Sequence, residues 1–242
     1  MTSNRPGPVA LVGSGEYLPV MDDVDRALLD GRPPRMVQLA TAAAPEGPRA
    51  LDYWHDLGAG AAQRLGVEQV VVPVVDRFSA DDPALAALVD GAGLIYLSGG
   101  SPPFLATTLR DTRVWAAIDR AWRDGAALAG CSAGAMALTA DVPDPRYPAR
   151  EAVPGLGAVP HLRVLPHFDR FVARMSESAL RHLIAVPSGV NVLGIDENTA
   201  LVGGPEQWEV RGHRSVWTFG ATGRVEHPTG SRLTIPPHDG RP

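Results

Sequence analysis

Short apolar runs alternate with amphipathic stretches through the first 140 residues. The runs Val9–Val12, Met36–Thr41, Val70–Val75, Leu94–Ser98 and Ala127–Cys131 are nearly continuous in apolar character and unbroken by charge. Strands that are buried on both faces have this pattern, because neither face offers a place for a polar residue. Pro73 interrupts the third run and marks it as an edge strand or a strand end. Between the runs, helical periodicity covers about Val20–Leu29, Arg49–Leu65, Pro83–Val89 and Arg113–Arg123. Asp81-Asp82 offers a helix cap, with Pro83 at the first helical position. Strand and helix in strict alternation imply right-handed βαβ units. The expected fold class is therefore α/β: a three-layer, doubly wound, mostly parallel sheet.

The pattern changes after about residue 140. Residues Asp141 to Pro160 are rich in Pro, Asp and Gly and predict a long loop of the kind that often carries function. A strand at Leu162–Leu165 and a helix from about Arg170 to Ala185 follow. The tail is β-like, with strands expected at Val192–Ile195, Ala200–Val202, Gln207–Val210, Ser215–Phe219 and Arg232–Ile235. Gly203-Gly204 and Arg211-Gly212 are expected as turns, and Pro236–Pro242 as a frayed end. No internal repeat or boundary divides the chain, so a single domain is expected over 1–242, its core at about 9–219 and its C-terminal part a β-rich extension.

Composition narrows the chemistry. Of 242 residues 45% are hydrophobic, the net charge is −5, and all 22 basic residues are arginine. Without lysine there is no Walker P-loop, Schiff-base lysine or Ser-Lys dyad. Cys131 is the only cysteine, which excludes an intrachain disulfide framework and a Cys-based zinc cluster. The arginines are scattered and form no basic stripe, so no nucleic-acid partner is expected. No apolar run reaches the length of a membrane span, and the first residues lack a signal-peptide core; the expected location is the cytoplasm.

The strongest chemical signal is Gly130-Cys131-Ser132-Ala133-Gly134, a G-x-S-x-G pattern between an apolar strand and a small-residue helix. In that context the glycines allow a tight strand-to-helix turn that lifts the Ser132 hydroxyl into the crevice above the sheet. The N–H of Ala133 is then a natural oxyanion donor. Cys131 should point the other way, as a small buried hydrophobe. A second glycine turn, Ser98-Gly99-Gly100-Ser101, also follows a strand. Parallel strands bring such turns to one edge, so Gly100 or Ser101 could supply the second donor.

In this order, Gly99-Gly100-Ser101, Gly130–Ala135, Pro166-His167-Phe168 and Gly194-Ile195-Asp196-Glu197-Asn198-Thr199-Ala200-Leu201 resemble peptidase E (aspartyl dipeptidase) and cyanophycinase. These are serine peptidases on a class I glutamine-amidotransferase-like, flavodoxin-like fold. The similarity runs from Val9 to about Phe219, and includes a glycine-rich first turn, Gly13-Ser14-Gly15-Glu16. The resemblance implies Ser132 as nucleophile and His167 as general base. It offers two kinds of orienting acid: Glu197 by the cyanophycinase pattern, which we favour, or an Asp between Ser and His by the peptidase E pattern, for which Asp141 and Asp144 are available. Asp196 would then brace the turn. Ser101 and Glu16 are expected on the substrate side, where Arg170 and Arg174 are candidates to grip a carboxylate, or else form a solvated helix face. The chain departs from the family at Ser101-Pro102, where the family has Asp or Asn followed by Gln or Thr, and at Leu165-Pro166, where cyanophycinase-like proteins are polar.

The expected reaction is cleavage of a small peptide or isopeptide amide through an acyl-enzyme, with no cofactor, no metal and no membrane partner; a homodimer stays open. An esterase of the α/β-hydrolase type would need an HGGG-type turn and a late histidine. A dinucleotide turn at Gly13-Ser14-Gly15 lacks its third glycine, since Leu18 stands there. Glutamine amidotransfer normally uses cysteine where Ser132 stands. A catalytically silent member of the fold is the remaining alternative.

Overall fold

The computed structural model describes residues 5–147, 150–172, 189–220 and 223–237. In chain order the first half contains β1 (Val9–Val12), α1 (Asp22–Leu29), β2 (Arg35–Leu39), α2 (Pro48–Leu65), β3 (Glu68–Val71), α3 (Arg77–Ala80), α4 (Pro83–Ala87), β4 (Leu94–Leu97), α5 (Pro102–Leu109), α6 (Arg113–Arg123), β5 (Ala127–Cys131) and α7 (Ala133–Ala137). The second half contains β6 (Asp141–Val142), β7 (Val153–Pro154), β8 (Leu162–Leu165), α8 (Phe168–Val172), β9 (Asn191–Ile195), β10 (Thr199–Gly203), β11 (Gln207–Gly212), β12 (Ser215–Gly220), β13 (Gly223–Pro228) and β14 (Arg232–Thr234).

The main sheet has eight strands in the order β14-β11-β10-β1-β5-β4-β2-β3. Strands β1, β5, β4, β2 and β3 are mutually parallel, and β10, β11 and β14 add antiparallel ladders beyond β1. Side chains alternate across this sheet. Val9, Leu11, Ile95, Leu97 and Leu128 face α5, α6 and α7. Ala10, Val12, Leu94, Tyr96, Ala129 and Cys131 face α1 and α2. Both faces are covered, which is why the strands read as unbroken apolar runs.

The C-terminal β-rich part does not form one extension. Strands β10, β11 and β14 join the main sheet, while β8, β9, β12 and β13 make a second, four-stranded sheet in the order β13-β12-β9-β8. Val164, Leu193, Ile195 and Val216 turn one face of that sheet into the larger core. Leu165, Phe168 and Val192 pack on its other face, joined by Trp217 and Phe219.

Several expectations are corrected in detail. The third strand is Glu68–Val71 rather than Val70–Val75, because Pro73 ends it. Arg211-Gly212 is the end of β11, and the turn falls at His213-Arg214. The Pro-rich stretch 141–160 contains a two-residue ladder, β6 with β7. Strand β13 and helices α3 and α5 were not expected. The helix expected over Arg170–Ala185 begins as α8 at Phe168, and its part beyond Val172, including Arg174, lies outside the described residues.

Candidate active site

Parallel registers in the two sheets bring five strand ends to the site. Ser132 directly follows β5, and Ser98-Gly99-Gly100-Ser101 follows β4, its immediate parallel neighbour. Gly13–Glu16 follows β1, on the other side of β5. In the second sheet, β8 and β9 are parallel neighbours, and His167 and Glu197 each stand two residues past their ends.

The elbow explains both of its glycines. Ser132 takes φ 49° and ψ −105°, a positive φ outside the regions favoured by L residues, so the turn is held under strain. A Cβ on Gly130 would lie 2.5 Å from the Gly134 carbonyl carbon, and one on Gly134 would lie 2.1 Å from the Leu97 carbonyl oxygen. Only two hydrogens let α7 fold back on β5 while resting on β4. The Ser132 hydroxyl makes no capping bond to its own helix and is left for other partners.

Its partner is His167. Ser132 Oγ lies 3.1 Å from His167 Nε2, and His167 Nδ1 lies 3.0 Å from Glu197 Oε1. The other Glu197 oxygen, Oε2, is 2.8 Å from Arg170 Nε. Glu197 is 16% exposed and His167 33%, so the contacts sit partly out of water, where they are strengthened. His167 itself has φ 50°. The next residue, Phe168, lays its ring over Gly194, where a Cβ would come within 2.5 Å of the ring. The Pro-His-Phe and Gly-Ile-Asp-Glu motifs are thus two halves of one packing contact, which fixes where the imidazole stands.

The turn bearing Glu197 is anchored on all sides. The Glu197 N–H donates to Asp169 Oδ1 at 3.0 Å, and Asp169 Oδ2 in turn takes Arg214 Nη1 at 2.9 Å. Asp196 points away from the imidazole: its oxygens accept from Ser215 N–H and from Trp217 Nε1. Burial raises the Asp196 carboxyl above its ordinary range, against the lowering effect of those two donors. The same turn closes over β1. Gly13 N–H donates to the Thr199 carbonyl and Asn198 N–H to the Ser14 carbonyl. Cβ atoms on Gly13 and Gly15 would strike the Asp196 carbonyl and Asn198 Oδ1. Gly13-Ser14-Gly15 is therefore glycine-rich so that the turn of Asp196–Asn198 can approach it.

Of the other expected residues, Gly100 and Ala133 stand on the two turns beside Ser132. An ideal Cβ on Gly99 would be 3.7 Å from Ser132 Cβ, so the turns are in van der Waals reach of each other. Ser101 N–H is taken by the Ala42 carbonyl at 2.7 Å, whereas Gly100 N–H has no partner among the described residues. Arg170 is 70% exposed with its Nε directed to Glu197. Glu16 departs from expectation: it is 4% exposed, and both its oxygens are taken by protein donors, so it lies under the crevice and not on the substrate side. Asp141 is exposed on β6, and Asp144 accepts from Arg146 N–H; the carboxylate at His167 is Glu197. Cys131 is fully buried, and burial and the nearby Glu16 push its thiol up, away from the thiolate form.

Three neighbours of the site were not marked by the sequence. Asp169 and Arg214 stabilise the acid's turn, and Asp169 could have been suspected from its place just after His167-Phe168. Trp54 also lies at the crevice, its Cζ2 3.8 Å from an ideal Cβ on Gly99, in edge contact with Tyr17 and Tyr53. On a helix read only for periodicity, nothing marked it out.

The fold is a doubly wound α/β sheet, and Ser132, His167 and Glu197 lie in contact at the carboxyl ends of its strands. Residues 48–210 match the family model described as Peptidase family S51, and the chain belongs to that family. A crystal structure of a peptidase from an acI-B1 Actinobacterium is 38% identical, covering 96% of this chain and 98% of that one, with a TM-score of 0.88. A putative peptidase E protein from Listeria monocytogenes EGD-e is 16% identical over 93% of this chain and 100% of that one, with a TM-score of 0.58, a likeness of fold. Among curated proteins, none matches the chain.

Proposed function

We propose that this peptidase cleaves the amide bond of a small peptide or isopeptide through an acyl-enzyme on Ser132. The observation that carries the reading is the unbroken line of contacts from Ser132 Oγ to His167 Nε2, 3.1 Å, and from His167 Nδ1 to Glu197 Oε1, 3.0 Å. With Nδ1–H donated to Glu197, the imidazole keeps its free electron pair on Nε2, facing the serine. His167 Nε2 takes the hydroxyl proton as Oγ attacks the carbonyl carbon, and Glu197 stabilises the imidazolium that forms. The negative charge that develops on the carbonyl oxygen is received by the N–H groups of Gly100 and Ala133. Collapse of the tetrahedral intermediate breaks the C–N bond, and His167 Nε2 delivers the proton to the departing amine. Water then attacks the ester, with His167 again as base, and releases the acid and free Ser132.

Support for amide hydrolysis over a silent fold comes from the strained Ser132 backbone, since strain of that kind persists only where surrounding structure maintains it. Support for a small substrate comes from the family. The test is hydrolysis of a dipeptide and isopeptide library by the wild type and by Ser132→Ala. At least one substrate class should be cleaved by the wild type and by none of the variant. Equal turnover by the two proteins would refute the assignment.

A further inference from the structure

Glu16 touches neither the imidazole nor the serine hydroxyl, yet it holds both turns between which the serine stands. Its Oε1 accepts the Gly99 N–H at 2.9 Å, and its Oε2 accepts the Cys131 S–H at 2.6 Å. Gly99 lies in the turn after β4, and Cys131 is the residue before Ser132. At 4% exposure the carboxylate depends on these protein donors in place of water. The thiol is suited to donate, because burial and the carboxylate keep it protonated.

The bonding along the glycine turn gives this contact a consequence. Gly99 N–H is committed to Glu16, and Ser101 N–H is committed to the Ala42 carbonyl at 2.7 Å. Gly100 stands between these two fixed points with φ 140°, and its N–H has no partner among the described residues. An ideal Cβ on Gly99 would lie 3.1 Å from Glu16 Oε1 and 3.7 Å from Ser132 Cβ, so carboxylate, turn and nucleophile are layered directly on one another.

We propose that Glu16 is a positioning residue for the oxyanion site: one buried carboxylate locks the Gly99–Ser101 turn against the elbow, so that the Gly100 and Ala133 amides converge on one oxygen. This rests on Ser132 being the nucleophile. Such a role acts where charge develops in the transition state, so it should appear in the rate of the covalent step and not in ground-state binding. A role limited to folding would instead scale with the amount of native protein.

The experiment is covalent modification of the full chain by a fluorophosphonate, resolved into Ki and kinact, with peptide mapping of the labelled residue and near-UV circular dichroism of each variant. Wild type should be labelled at Ser132. Glu16→Gln, which leaves one acceptor oxygen where two are needed, should lower kinact about 10- to 100-fold with Ki held within about 2-fold. Cys131→Ala should lower kinact in the same direction by less, and Cys131→Ser, which restores an X–H donor, should recover most of the loss. If Glu16→Gln does not fold, the two Cys131 variants carry the test. The proposal is overturned if folded Glu16→Gln, or Cys131→Ala, is labelled at the wild-type kinact. It is equally overturned if Ki rises by as much as kinact falls, or if the loss follows the folded fraction. If wild type is not labelled at Ser132, the nucleophile assignment itself fails and takes this role with it.

Discussion

A carboxylate beside a catalytic imidazole has two separable effects: it selects the tautomer, and it stabilises the charge formed during attack. Glu197 is placed for both, while its neighbour Asp196 is turned to Ser215 and Trp217. The two adjacent acids should therefore separate cleanly on substitution. Glu197→Gln keeps the shape but loses the charge and favours the wrong tautomer, and is expected to lower kcat roughly 10²- to 10⁴-fold. Asp196→Asn should leave most of kcat and lower the urea midpoint, since it disturbs a brace between β9 and β12. Asp141→Asn and Asp144→Asn should be mild in both measurements. A silent Glu197→Gln beside an inactive Asp141→Asn or Asp144→Asn would assign the acid to the 141–144 loop.

At the scale of elements, the parallel strands were legible because burial on both faces leaves a simple signature. Val9–Val12 and Ala127–Cys131 read to the residue. The elbow was legible because sterics admit few sequences there: both glycines face backbone that a Cβ would strike. The assignment of the C-terminal strands to two sheets was not legible. The alternation in Thr199–Gly203 and in Ser215–Gly220 looks alike, and the choice of partner is made by tertiary packing, β10 on β1 and β12 on β9. The role of Glu16 was hidden for the same reason. Its position after a glycine turn suggests an exposed group, and only the approach of Gly99 and Cys131 accounts for its burial. Helix α5 went unread because Pro102-Pro103 at its start looks like a break, although proline at a first helical position is compatible with a helix.

At the scale of the whole molecule, the face of the main sheet covered by α1 and α2 contains an acid with no hydrogen-bond partner among the described residues. Asp25 is 1% exposed and both its oxygens are unpaired. Burial, with Asp22 and Glu16 nearby and Arg64 acting in the opposite sense, pushes its carboxyl from 3.8 up to about 8. Between those values the native state keeps a proton that the unfolded chain has released. Its contribution to stability is therefore fully present below about pH 4, falls as pH rises, and is lost above about pH 8. Asp25→Asn, a neutral group of the same shape, should flatten this decline. The variant is expected to melt higher than wild type at about pH 9 and nearly alike at about pH 4 or below, with each kcal/mol gained worth about 2–4 °C in Tm for a chain of this size. A Tm difference independent of pH would mean that Asp25 is not the group responsible.

The central claim is that Ser132 and His167 operate as one unit joined by a proton. The direct measurement is kcat for Ser132→Ala, His167→Ala and the double variant on the best substrate from the peptide library, with folding checked by circular dichroism. Each single variant should lose about 10⁴- to 10⁶-fold, and the double variant should be little worse than either, because removing one member already disables the other. Losses that multiply in the double variant would contradict the coupled pair.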